Sequence, residues 1–445
     1  MIRPLVLATA TLLLCSATTR PAGLPAPITD DDYRPIDPAE VKLGQLLFYD
    51  RILSGNRNIA CATCHHPRFA TGDGLSLGLG EGAVGLGTER HVVEADMPEL
   101  RIPRNAPPLF NLGAKSFTIL FDDGRLDEDP TRPSGLRTPL EDSMVTGFHS
   151  ILAAQSMFPV LSPDEMAGHY MENDVSTAIR SGQITNKGGA WDLLAARVAA
   201  IPQYQQAFNA TYPEVAAGRP ITFYDISNAI AAFISLEWRA DNAPFDAYLR
   251  GQADLSPDAM AGMALFYGPA GCGTCHGGKF QTDMGFHAMG EPQFGPGKAE
   301  RFEKHSRDTG RMHVTNNPAD AYAFRTPSLR NVTATGPWGH SGAYKDMTAF
   351  LQHHTHPATG MTGYDIANAI LPAFPASKKD DLALASNPAD VQAIADAARS
   401  APSVDLTAAE TTQIIAFLDS LRDQKSIDGR MGVPASVPSG LPVDQ

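Results

Sequence analysis

The sequence predicts a mainly α fold built as two similar units with extensive irregular loops. Three observations predict it. A cysteine motif occurs twice, as CATCH at 61–65 and CGTCH at 272–276, and each copy follows a matching apolar segment, AEVKLGQLLFYD and PDAMAGMALFYG. Gly44, Leu47, Phe48 and Tyr49 of the first segment correspond to Gly262, Leu265, Phe266 and Tyr267 of the second. Apolar residues recur elsewhere with helical period, as in WDLLAARVAAI and FYDISNAIAAFISLEW, and few segments alternate with period two. The 39 glycines and 35 prolines place much of the remainder in loops.

Residues 1–22 read as a secretory signal peptide. Arg3 precedes an apolar run from Leu5 to Leu14, and small residues follow. A membrane-crossing helix needs about 20 apolar residues, and this run is half that. Cleavage after Ala17 or Ala22 would remove Cys15. Lipidation of Cys15 is the rival reading, but Leu14 is bulky for the residue before a lipidated cysteine. The expected address is the periplasm, with no membrane span in the mature chain.

The first unit is placed at 30–245. It carries a glycine-rich loop at 72–90 and helices at 175–182, 191–210 and 222–238. The segment 240–258 reads as a link, and Ser256 with Pro257 opens the next helix. The second unit is placed at 250–425. After each cysteine motif comes an Arg/Asn/Pro segment, RNAPPLFNLG at 104–113 and RTPSLRNVTATG at 325–336. The tail 426–445 is rich in Pro, Gly and Ser and is expected to be flexible. A net charge of −14 without a basic cluster argues against nucleic acid and anionic membrane surfaces as partners.

Without Cys15, all four cysteines belong to the two motifs, so none is spare for a disulfide elsewhere. Zinc knuckles place their cysteine pairs about 15–20 residues apart, far closer than these. A redox dithiol needs no trailing histidine. Covalent attachment of c-type haem explains every part. Cys61 and Cys64, or Cys272 and Cys275, reach the two vinyl groups of one porphyrin, and His65 or His276 lies under the iron. Export fits this reading, because such haems are attached outside the cytoplasm.

LGQLLFYDRILSGNRNIACATCHHP, PRNAPPLFN, FPVLSPDEM, LFYGPAGCGTCH and FRTPSLRNVTATGPWGHSG together resemble the di-haem cytochrome c peroxidases, the family that includes MauG. The resemblance covers most of the mature chain. It implies two cytochrome c-like domains, the first haem reacting with hydrogen peroxide and the second transferring electrons to or from a redox partner or protein substrate. Gln155, Pro159 and Glu165 keep the family's spacing for the distal side of the first haem, and Glu165 matches its acid/base residue. A positioned carboxyl can take the proton from one peroxide oxygen and return it to the other. Ser162 and Glu165 also form an S-x-x-E capping pattern, which would leave Glu165 a structural role.

Further expectations come from the same resemblance. Glu81 stands where many relatives carry a histidine that occupies the first iron, and His91 is out of register; this favours an open first site, as in the MauG-like branch. Asn105 matches a calcium ligand, with carbonyls expected from the segment before Asp308. Asp122, in LFDDGR, replaces the family's tryptophan between the haems. Tyr322, five residues before Pro327, is expected as the sixth ligand of the second haem, where an anionic phenolate would favour ferric iron; Met312 and Met289 are the alternatives. The leading function is a MauG-like di-haem peroxidase. The alternatives are a conventional cytochrome c peroxidase fed by a small cytochrome or cupredoxin, and a plain electron carrier. Mass spectrometry of the exported protein is expected to find two covalent haems and no leader; a single haem, or haem extracted by acid acetone, would overturn the reading of the motifs.

Overall fold

The structure, a computed structural model, describes residues 23–298, 305–375 and 381–445. The leader and Cys15 lie outside the described residues. Two helix pairs organise the chain. Pro38–Tyr49 crosses Phe223–Glu237, and Pro257–Phe266 crosses Ala408–Asp419. Asp37 and Ser256 cap the leading helix of each pair by accepting from Ala39 N and Ala259 N, and a proline opens both.

The glycine shared by the two leading helices is what permits each crossing. A Cβ on Gly44 would stand 1.8 Å from the Ala229 carbonyl oxygen, and one on Gly262 would stand 1.8 Å from that of Gln413. Only glycine lets backbones approach this closely. The aromatic residues that follow close each core. Phe48 lies 5.4 Å from Phe233 and 5.1 Å from Trp238, and Phe266 lies 5.0 Å from Phe417. The sequence repeat is therefore a repeat of packing.

The expected helix over 191–210 is two helices, Ala190–Ala199 and Pro202–Thr211. Pro202 has no amide hydrogen to continue the first helix, and it holds Ile201 in extended backbone at φ −91°, ψ 115°. The strands are pairs and one triplet of two or three residues each: Ala83–Val84 with His91–Val92, Ile119–Leu120 with Leu126–Glu128 and Leu136–Arg137, and Phe286–His287 with Phe324–Arg325. Much of 72–90 is loop, as its glycines require. The linking segment contains the helix Pro244–Leu249, whose Phe245 and Leu249 are wholly buried in the second core.

Residues 426–445 correct the expectation of a flexible tail. Composition suggested disorder, but the segment is held to the first unit by specific bonds. Ile427 and Val437 join the first core. Glu237 accepts from the Met431 and Gly432 amides, and Ser439 Oγ donates to Asp50 at 2.6 Å. Asp444 receives Arg51 and the Thr63 hydroxyl, both at 2.6 Å, so the chain end reaches the first cysteine motif. Among the described residues no helix is long and apolar enough to cross a membrane. Gly44→Ala and Gly262→Ala are each expected to cost roughly 1–3 kcal/mol or more, because the added methyl meets backbone that cannot turn aside. Thermal melting checks this, and an unchanged midpoint would mean that the helices do not depend on these glycines.

Candidate active site

Each cysteine motif forms one tight turn: the helix Cys61–Cys64 in the first unit, and the 3₁₀ turn Cys272–Thr274 leading to Cys275 in the second. All four thiols are free. Burial pushes Cys61 and Cys64 up to about 12 and Cys272 up to about 11, the reverse of an activated redox dithiol. Yet each cysteine keeps some accessible surface. The histidine that follows is oriented alike in both units. His65 Nδ1 lies 2.9 Å from the Thr71 carbonyl and His276 Nδ1 lies 3.2 Å from that of Gln281. Thr71 and Gln281 turn their carbonyls back through positive φ, 69° and 49°. A ring whose Nδ1–H donates to a carbonyl keeps Nε2 for a metal. The residues fit c-type haem at both places.

On the first unit, Gln155 ends the helix Ile151–Gln155, Pro159 opens the turn Pro159–Leu161, and Glu165 sits in the next turn, Pro163–Ala167. The Gln155 side-chain oxygen is buried with no partner. Ser162 Oγ accepts from the Glu165 amide, so the cap uses Glu165's backbone. Its carboxylate is left over. That carboxylate lies 4.0 Å from Lys298 Nζ, and its charge is felt at Cys64. Burial raises the pKa of Glu165, while Lys298 and Arg125 oppose the rise. Lys298 is itself pushed down to about 8, first by burial and then by Arg125. No local pattern marks Lys298, which comes from the second unit and meets Glu165 only in the fold.

Glu81 is buried and turned toward Asn56 and Asn58, whose amides donate to it at 2.8 and 2.5 Å. His91 is exposed and its Nδ1 faces the Glu89 carbonyl. Asp122 meets the second unit through its backbone, its carbonyl accepting from Arg325 N at 2.7 Å. Asn105 donates its side-chain amide to the Leu75 carbonyl at 2.6 Å and to that of Ser76 at 3.3 Å. The carbonyls that this amide meets are in the glycine-rich loop; the segment before Asp308, expected to supply them, lies partly outside the described residues.

Tyr322, the expected sixth ligand of the second haem, lies on the second unit among apolar residues. At φ +58°, it packs against the apolar cluster of Met361, Leu384 and Ile394. The ring set against His276 is that of His354, with ring centres 6.1 Å apart. That ring belongs to the helix Met347–His354.

Between the units lies a buried ion cluster. Arg104 forks onto both oxygens of Asp308, at 2.6 and 2.8 Å, and binds Asp123 at 2.9 Å; Arg125 binds the same Asp123 oxygen at 2.8 Å.

Comparison with known proteins agrees with this geometry. The family profile of the di-haem cytochrome c peroxidases matches residues 38–254. The methylamine utilization protein MauG of Methylorubrum extorquens is 30% identical over 338 residues, 75% of this chain and 72% of that protein. Cytochrome c551 peroxidase of Pseudomonas aeruginosa is 28% identical over 333 residues, covering 74% and 76%. In fold, the chain is similar to the diheme peroxidase BthA of Burkholderia thailandensis, with a TM-score of 0.57, 21% identity and coverage of 93% and 92%. A MauG-like protein associated with microbial copper homeostasis gives a TM-score of 0.55 at 24% identity, covering 92% and 96%. The doubled cysteine turn with its trailing histidine and these likenesses lead to one conclusion: the chain belongs to the di-haem cytochrome c peroxidase family.

Proposed function

We propose that this is an exported peroxidase whose first haem, held by Cys61, Cys64 and His65, reacts with hydrogen peroxide in the resting ferric protein, in the manner of the MauG-like branch. One observation carries the proposal: the Glu165 carboxylate is not used by its own helix cap and stands 4.0 Å from Lys298 Nζ, close enough for its charge to act on Cys64. Bound haem would supply the iron and the electrons that cleave the peroxide bond. The protein's part is the proton. Glu165, ionised, takes a proton from the oxygen nearer the iron and returns it to the far oxygen as that oxygen leaves as water. The unpartnered Gln155 oxygen can accept a hydrogen bond from the bound peroxide and orient it. Glu81 holds Asn56 and Asn58, and His91 is at the surface, which supports a first site without a side-chain ligand.

The oxidising equivalents would pass to the second haem, on Cys272, Cys275 and His276, and on to a redox partner or protein substrate. The leader of the sequence supports a periplasmic location. Calcium at Asn105 is carried from the family resemblance. It would use the amide oxygen, turned to face the Leu75 and Ser76 carbonyls, since converging oxygens suit a hard cation. A conventional cytochrome c peroxidase would instead need prior reduction before it reacted.

Stopped-flow mixing of peroxide with the ferric holoprotein tests the proposal, and no reaction without prior reduction would favour the conventional reading. Glu165→Gln is expected to slow this reaction by about 10²–10³ with both haem spectra intact; wild-type kinetics would return Glu165 to a structural role. The rate should also rise with pH through a limb above the ordinary glutamate value of about 4.3, because the base must be ionised and burial raises its pKa. Lys298→Met removes a charge that favours the carboxylate, so the limb is expected to move to higher pH. A limb that stays in place would mean that Lys298 does not act on Glu165.

A further inference from the structure

We infer that His354 is the second axial ligand of the haem at Cys272 and Cys275, so that this iron carries two imidazoles; the inference rests on haem attachment at both motifs, as proposed above. Two imidazoles bound to opposite sides of one metal ion, each through a bond of about 2.0 Å, have ring centres about 6 Å apart. The centres of His276 and His354 are 6.1 Å apart with the ring planes at 49°. Both planes can contain a common ligand axis at that angle, since each ring is free to rotate about its own metal bond. Among the described residues no hydrogen bond joins the two rings, and His276 is buried while His354 is half-buried.

The local structure holds His354 for this position. Asp346 caps its helix by accepting from Ala349 N at 2.8 Å, and Leu351 anchors that helix in the second core. Phe350 flanks the His354 ring at 5.6 Å. The Nδ1 atom of His354 is buried without a hydrogen-bond partner. Neighbouring histidines are engaged elsewhere: His353 Nε2 with the Met289 carbonyl at 3.1 Å, His356 with Asp405 at 2.9 Å and His340 with Glu291 at 2.9 Å. Tyr322 is packed in another apolar cluster. Two nitrogen ligands would leave the second iron closed to peroxide and give it a lower potential than a histidine–methionine pair. Peroxide chemistry and electron transfer would thereby be divided between the two units.

Electron paramagnetic resonance and optical spectra of the full-length ferric holoprotein test this, with haem content measured on the same samples. The wild type is expected to show one low-spin haem of the two-imidazole type and no methionine-to-iron charge-transfer band. In His354→Gly that low-spin signal should be lost and a high-spin one gained, the first haem's signal should persist, and added imidazole should restore the original spectrum. Tyr322→Phe and His353→Gly should leave the signal unchanged. The inference is overturned if His354→Gly keeps the low-spin signal, or if Tyr322→Phe removes it. Should the glycine variant not fold, His354→Met asks the same question. It should add the methionine band and raise the potential of one haem, and an unchanged potential would sink the idea. A wild-type protein with only one haem would instead overturn the attachment on which the inference depends.

Discussion

The buried cluster of Arg104, Arg125, Asp123 and Asp308 sets the relation between the two units. Its two positive and two negative charges cancel, and its closest contacts are charge-assisted hydrogen bonds, so it can exist away from water. Removing one partner from such a group typically costs about 3–5 kcal/mol, because the other charge is left buried. Burial alone would raise Asp308 and Asp123, but Arg104 overrides it and holds both below the ordinary carboxylate range. The sign follows from that direction: the cluster's contribution is complete above the ordinary carboxylate range and is lost only as pH falls through the depressed values. Position matters as much as stability. Asp308 exchanges two hydrogen bonds with the side chain of Gln293, five residues before Lys298. The aspartate that docks the second unit on the first therefore also fastens the segment that brings Lys298 to Glu165.

Given that docking, one turn serves two purposes. The proximal side is nearly the same in both units, a short cysteine turn and a histidine whose Nδ1 faces a carbonyl a few residues on. What differs is the element closing the other side. In the first unit it is a set of short turns that present a carboxylate, an unpartnered amide oxygen and a lysine from across the interface. In the second it is a regular helix ending in His354. On the proposed function, reactivity is set by the non-repeated parts of the chain, while the repeated parts supply the mount.

The interface shows the same division at position 122. A tryptophan there would place an aromatic ring between the units. Asp122 instead makes a backbone contact with Arg325. The aromatic contact nearby is Phe324, stacked on His340 at 3.9 Å and lying 5.7 Å beneath the Arg104 guanidinium. The charged cluster and the stacked rings occupy one interface, so a change in Arg104 would disturb docking and ring contact together.

What could be read in the sequence was what depends on short spacing. The two cysteine motifs, the paired Gly44 and Gly262 and the cap at Ser162 are local patterns with local physical causes, and each is found where the spacing put it. Pro202 should have divided the helix expected over 191–210, and there the local rule was available but outweighed by apolar periodicity. Composition measures only the average tendency to order, so it does not register the contacts of the tail. Its order comes instead from a few long-range partners such as Asp50, Arg51 and Thr63. Lys298 and His354 share that cause. Each faces a residue far away in the chain, and nothing beside them in sequence marks the pairing. Within HHTH at 353–356, three histidines look alike in sequence; only the helix Met347–His354, docked on the second core through Leu351, distinguishes the one that faces His276. A ligand opposite a fixed histidine is therefore selected by which helix packs across from it, and that is a property of the packed unit and not of any spacing along the chain.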